Sequence, residues 1–387
     1  MRVKNIKFWI LLGIIFSAGL GPLLRYSDIT AARILAVILI ISGASTILRK
    51  KIGTSWVLVF FGLMYGFALA IGQAGFSLDV MFNSFIYLGY GIVAFIISRM
   101  PITYDQLKKL GYIFIIIGVV SSLAVISEYI AGYNWYLGKP LLYVLGDARP
   151  RGLHGDPNAS SIFIILGLLA VLFLYLAGSR SKYSLFINSF LLALYLWSLY
   201  LCASRGALIG LVLALLPFFI IKEISRKVKV VMIFIGFIAI FELDVILRGR
   251  EISLYADQAT LNRLDSWQLS WEVFLSSPIF GDADFYNRHL GDYDSPHNNI
   301  MEIMAFGGIL SLVPYVFVNI DIIRRLCKRQ LVVENILPYS SFMFFFGASL
   351  TISTLNSIIF WCVVGLCLNK TVILRKNNPG VEWKFLP

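Results

Sequence analysis

The stretch DPNASSIFIILGLLAVLFLYLA, residues 156–177, decides the fold class. It opens with an acidic residue and a proline, then reaches Ala177 without another charge. Aspartate suits a helix N-cap and proline the first helical position, so a helix begins here. At 1.5 Å per residue, about 20 apolar residues span a hydrocarbon core roughly 30 Å thick. The stretch therefore reads as a membrane-crossing helix whose start faces water.

Similar apolar runs fill the chain on either side. With 59% hydrophobic and 14% charged residues and a mean hydropathy of +0.82, an ordinary soluble domain is excluded. The hydrophobicity is all-round and does not alternate, which excludes an outer-membrane barrel. The expected fold is an all-α polytopic membrane protein of about 12 transmembrane helices. Spans are placed near 8–24, 31–48, 55–73, 80–98, 111–132, 158–177, 184–203, 206–221, 229–246, 297–319, 335–352 and 355–372. The last two read equally as one broken hairpin. The first resembles a signal-peptide core but is long for one, and no convincing cleavage site follows, so it reads as an uncleaved helix.

Net charge +12 would suggest nucleic acid in a soluble protein; here topology accounts for it. With the N-terminus inside, 23 of the 33 Lys and Arg fall on the inner face and 10 on the outer. Inner clusters include residues 49–51, 108–109, 222–229 and 324–329, with the C-terminal tail also inside. All but one of the outer basic residues are arginines, Lys139 being the exception, and all three histidines lie outside. Three cysteines sit within spans and Cys327 in a basic loop, so no disulfide framework is expected. Gly62-x-x-x-Gly66 in the third span reads as close helix packing.

Two outer loops are long, 133–157 and 247–296, and loops of that size are commonly functional. The second carries an amphipathic helix from Asn262 to Leu275, ended by Pro278, that would lie in the membrane interface. Four patterns gather on this face. They are Arg149-Pro-Arg151-Gly-Leu-His154-Gly-Asp156-Pro157-Asn158, then Ser204-Arg205-Gly206, then Arg263 at the opening of the interfacial helix, then Ser295-Pro296-His297-Asn298. Spans six, eight and ten begin at this face, and helix N-termini favour anions. Arginine adds a permanently charged bidentate fork for phosphate oxygens. The combination describes a phosphate or pyrophosphate receptor. His297, held toward its neutral form by a helix dipole, can accept a proton.

Blander readings stand beside these. Arg25, Arg33, Arg248 and Arg250 suit lipid headgroups, Arg205 could cap the carbonyls of span seven, and His154 and His289 read as surface residues. Histidine spacing gives no zinc site. The pairs Asp282-Ala-Asp284 and Asp292-Tyr-Asp294 fit sugar hydroxyls or solvent better than a metal. Glu302, a turn inside span ten, needs a partner in Arg205 or another helix.

The ordered set resembles the bacterial O-antigen ligase and polymerase family over roughly residues 150–320. The matching residues are Arg151, Gly152, Pro157 and Asn158; Ser204, Arg205 and Gly206; Arg263, Trp267 and Pro278-x-x-Gly281; His297 and Asn298; and Gly307-Gly308. The chain then divides into N-terminal spans (1–132), a family-like core (133–320) and C-terminal spans with a tail (321–387). The resemblance implies an inverting, metal-independent glycosyltransferase of the GT-C-like membrane type, without cofactor. It implies a donor glycan on undecaprenyl pyrophosphate and an active site on the periplasmic side of the bacterial inner membrane. Arg205 and Arg263 would neutralise the leaving pyrophosphate and His297 would activate the acceptor hydroxyl. Arg149, Arg151, Asn158, Asn298 and Trp267 would bind substrate, with the Trp267 and Trp271 helix beside a lateral mouth for lipid. A polymerase would use a second lipid-linked repeat unit as acceptor, a ligase lipid A-core, and a chain-length regulator would be a further partner. A flippase is the alternative of another class, but transporters place ionisable groups near the bilayer midplane and not at helix ends.

Overall fold

The structure, a computed structural model, describes residues 3–26, 29–48, 54–71, 78–144, 147–177, 182–221, 224–251, 254–289, 296–328 and 331–369. The helices are α1 (Val3–Gly19), α2 (Ala31–Leu48), α3 (Trp56–Ile71), α4 (Leu78–Arg99), α5 (Tyr104–Ala131), α6 (Pro157–Ala177) and α7 (Lys182–Cys202). They continue as α8 (Arg205–Ile220), α9 (Arg226–Glu251), α10 (Leu254–Ser276), α11 (Ala283–His289), α12 (Asn299–Lys328), α13 (Ile336–Ala348) and α14 (Ile358–Leu368). A helix stands at each of the expected span positions, and α10 and α11 occupy the second long loop. Four of them are long and apolar enough to cross a membrane: 104–131, 157–177, 183–202 and 299–327.

The stretch that opened the sequence becomes the most enclosed helix. Every residue of α6 from Ser160 to Phe173 is buried, among α5, α7, α8 and α13. Around it α12 lies on α3, α14 on α4 and α13 on α8, so one apolar core runs from Phe8 to Leu368. Outward-facing positions are as apolar as the core: Phe186 is 72% exposed, Ile41 71% and Phe237 63%. In water such a surface would aggregate; against acyl chains it is satisfied, as an integral membrane protein requires. Gly62 and Gly66 bring α3 against α4, since a Cβ at either would meet the carbonyl oxygen of Tyr87 or Ser84 at 2.4 and 2.7 Å.

Some expectations shift. The interfacial helix starts at Leu254, not Asn262, so Arg263 sits mid-helix. Its outer stripe, Leu264, Trp271 and Leu275, is exposed, while Leu269 and Val273 are buried on the side packed against α12. Loop 133–157 folds into two-residue ladders, 133–134 with 139–140 and 143–144 with 147–148, followed by a 3-10 turn at Gly152–His154. His154 is not a surface residue: its ring stacks on Phe163 with centroids 4.1 Å apart. Glu302 is met by Tyr65 of α3, whose hydroxyl donates at 3.3 Å, and by the Ser353 hydroxyl. The side chains of Arg25, Arg248 and Arg250, Ser295, the pair Asp292 and Asp294, the cluster 49–51 and the C-terminal tail lie outside the described residues.

Candidate functional site

Asp156 and Ser204 start two of the helices that build the site. Asp156 Oδ1 accepts from the Asn158 N–H at 2.8 Å, leaving Pro157 as the first residue of α6. Ser204 caps α8 by accepting from the Ala207 N–H at 3.4 Å. Only Ala203 and Ser204 separate α7 from α8, and Ala203 takes a left-handed φ of 48° to make the turn. The two helix starts are joined by one atom. Asn158 Oδ1 accepts from the Ser204 hydroxyl at 2.8 Å and from Arg149 Nη2 at 3.3 Å. Arg149 Nε donates in turn to the Cys202 carbonyl at 3.1 Å. Arg149 thus caps the last turn of α7, the role that the blander reading gave to Arg205.

The charges of three guanidiniums act on one another here. Burial draws the pKa of Arg149 below its ordinary value; Asp156 opposes this, and the charge of Arg263 adds to it. The charges of Arg263 and Arg149 also bear on half-buried Arg205. Like charges gathered beside helix N-termini are costly by themselves and favourable around an anion. Arg151 stands apart. Its carbonyl accepts from the Ser160 hydroxyl at 2.7 Å, and its buried Nη1 has no hydrogen-bond partner among the described residues.

The histidine turn is fixed from α10. Trp267, one turn beyond Arg263, donates its indole N–H to the Pro296 carbonyl at 2.7 Å. His297 follows with a left-handed φ of 47°, uncommon for a residue with a side chain. α12 begins two residues later than expected, at Asn299. Asn298 is its cap, its Oδ1 accepting from the Ile300 and Met301 N–H groups at 2.9 and 3.2 Å. Asn298 Nδ2 donates to the Leu350 carbonyl at 3.1 Å. The amides of Asn158 and Asn298 are thus both engaged within the protein.

The two glycine motifs of the core prove to be halves of one contact. Gly308 adopts φ 54° and ψ −160° and breaks α12. Into the break docks the turn after α10: Ile309 N donates to Pro278 O at 2.8 Å and Asp282 N to Ala305 O at 2.8 Å. Nearby, Asp282 caps α11 through the Phe285 N–H and Asp284 pairs with Arg288 at 2.6 Å. Among the described residues, no group of three His, Cys, Asp or Glu could hold a metal ion.

Residues 190–316 match the family described as O-antigen ligase. Over that segment, and not beyond it, the chain is similar to the O-antigen ligase family. No curated protein matches it. The matched stretch takes in Arg205, Arg263, Trp267 and His297; Arg149, Arg151 and Asn158 lie before it.

Sequence reading did not single out Asn299 or the polar segment 349–357 between α13 and α14. A signal existed: Ser, Thr and Asn recur there inside what would otherwise be apolar helix.

Proposed function

We propose that the chain transfers a glycan from undecaprenyl pyrophosphate to a sugar hydroxyl at the periplasmic face of the bacterial inner membrane, with both termini cytoplasmic. What carries this reading is the mutual charge coupling of Arg149, Arg205 and Arg263 beside the joined starts of α6 and α8, with Arg263 one turn from the Trp267 that holds the histidine turn. The glycan's anomeric carbon bears the pyrophosphate. Arg205 and Arg263 hold its oxygens while Arg149, fixed by Asn158 and Cys202, completes the positive field. His297 takes the proton of the acceptor hydroxyl as that oxygen bonds to the anomeric carbon from the opposite face. The bond to pyrophosphate breaks, its electron pair leaving with the lipid pyrophosphate, and the configuration inverts. General-base help of this kind is worth about 10²–10⁴ in rate. No metal enters the scheme.

The acceptor we propose is another lipid-linked repeat unit, which makes the chain a polymerase. The O-antigen ligase description of the matched segment favours lipid A-core as the second reading. Loss of the gene separates them: a single repeat on the core means polymerase, whereas lipid-linked polymer accumulating with no O-chain means ligase.

The central test is His297→Ala, assayed as purified protein with a lipid pyrophosphate-linked donor. Transfer is expected to fall to background while the protein inserts and accumulates normally. Wild-type product from that variant would remove His297 from the mechanism, and transfer abolished by EDTA in the wild type would call for a metal.

A further inference from the structure

Helices α13 and α14 are short, 13 and 11 residues, because the chain unwinds between them. The intervening residues, Ser349-Leu-Thr-Ile-Ser-Thr-Leu-Asn-Ser357, expose backbone polar groups where apolar helix would leave none. In a membrane protein such unwinding persists where neighbouring groups satisfy it. Here the neighbours belong to the start of α12. Asn299 N donates to the Ser349 carbonyl at 3.0 Å, and Asn298 Nδ2 to the Leu350 carbonyl at 3.1 Å. The Asn299 side chain bonds Thr354 at both of its ends: Nδ2 donates to Thr354 Oγ1 at 2.8 Å, and Oδ1 accepts from Thr354 N at 2.8 Å. The Ser353 hydroxyl donates to Glu302, one turn further along α12. Tyr315 reaches Asn299 at 3.1 Å from the far side.

The same segment lies against the other half of the site. A Cβ placed on Gly206 would come within 2.0 Å of Thr351 Oγ1 and 2.9 Å of Ile352, so the first turn of α8 presses directly on it. One unwound stretch therefore joins the helix start that carries Arg205 to the one that follows His297. The pair at its centre is fully enclosed: Asn299 and Thr354 are each 0% exposed.

We propose that segment 349–357 is a positioning clamp for the catalytic histidine, with the Asn299–Thr354 pair as its latch. The inference rests on the assignment of His297 as the base. His297 holds a left-handed backbone conformation, which is strained for a residue with a side chain and persists only where the surroundings impose it. Trp267 fixes the residue before it, and the clamp fixes the two residues after it. Neither Asn299 nor Thr354 is one of the groups assigned to hold the pyrophosphate. The latch itself binds the start of α12, whereas the segment meets α8 through Thr351 and Ile352, so loosening the latch moves the imidazole relative to the bound donor.

The test is Thr354→Val, which keeps the volume and the backbone N–H but removes the hydroxyl that accepts from Asn299, with Thr354→Ser as the conservative variant. A misplacement of about 1 Å costs roughly 10²-fold in rate, so kcat should fall by that order in Thr354→Val with the donor KM within about twofold of wild type. Thr354→Ser should recover most of the loss. Unchanged kcat in a folded Thr354→Val protein overturns the proposal, as does a loss that appears in KM alone. Should the valine variant fail to accumulate, hydrogen exchange on the wild-type protein decides. The amides of Asn299 and Thr354 should exchange slowly and together, and rapid exchange at either would overturn the clamp. His297→Ala assayed in parallel separates the two readings. Full activity there removes the base assignment itself, whereas background activity there beside a wild-type Thr354→Val removes the clamp alone.

Discussion

Arg149, Arg205 and Arg263 bring three positive charges within electrostatic reach of one another, and Asp156 is the largest charge opposing them in the field felt by Arg149. A lysine at position 205 would keep the charge but replace a planar fork with a point donor. Arg205→Lys is expected to lower kcat by about 10²–10³, as loss of a donor to developing negative charge does, and steady-state kinetics on the purified variant would read it. Normal turnover would make Arg205 a structural residue. His154 supports a different prediction. Burial against Phe163 pulls its pKa from 6.5 down to about 4, while a hydrogen bond to the Gly19 backbone works against the shift. A depressed histidine pKa means that the unfolded chain binds a proton that the folded chain refuses. The stabilisation is complete above about pH 6.5 and is lost as pH falls toward 4, by on the order of 3 kcal/mol. Thermal unfolding in detergent should show this acid limb in the wild type and a flatter one in His154→Gln; identical limbs would remove His154 as its source.

At the scale of elements, the glycines of the core can be ranked by what surrounds them. Gly308 combines a left-handed φ of 54° with a site where a Cβ would lie 2.4 Å from the Ile279 carbonyl oxygen. Gly308→Ala therefore adds backbone strain to overpacking against main chain, together about 2–5 kcal/mol. Gly89 in α4 has open space around it, and alanine there should be neutral or stabilise the helix by up to about 1 kcal/mol. Denaturant unfolding of the two variants should separate them in this order, and equal midpoints would refute the docking of the 278–281 turn into α12. The sequence shows that Pro278-x-x-Gly281 and Gly307-Gly308 exist but not that they meet. Elements themselves were readable because apolar length and capping chemistry are local: Asp156 and Pro157 start α6 where expected. Boundaries governed by distant partners were not. α10 begins at Leu254, well before the apolar stripe that signalled it, and α12 begins at Asn299 because Asn298 caps it.

For the whole molecule, the same distinction explains which parts of the site were legible. Arginines and a histidine on one face follow from span counting, which needs only hydropathy and charge. The groups that hold them do not, because Trp267 with Pro296 and Asn299 with Thr354 are paired across 29 and 55 residues by hydrogen bonds that leave no periodic trace. Span counting also makes the orientation testable with the chain's own thiols. Cys202, Cys362 and Cys367 are buried and Cys327 is exposed, so a maleimide meets one reactive cysteine among the four. Cys327 follows Arg324 and Arg325 at the end of α12, in a cluster that the positive-inside rule assigns to the cytoplasm. His289, exposed at the end of α11, precedes α12, so the same rule assigns it to the opposite face. A membrane-impermeant maleimide should leave the wild-type protein unlabelled in intact spheroplasts and label Cys327 once they are permeabilised. In Cys327→Ser carrying His289→Cys, labelling should occur without permeabilisation. The reverse pattern would turn the arginine and histidine face toward the cytoplasm, where a donor displayed on the periplasmic leaflet is out of reach, and the transferase reading would have to be abandoned with it.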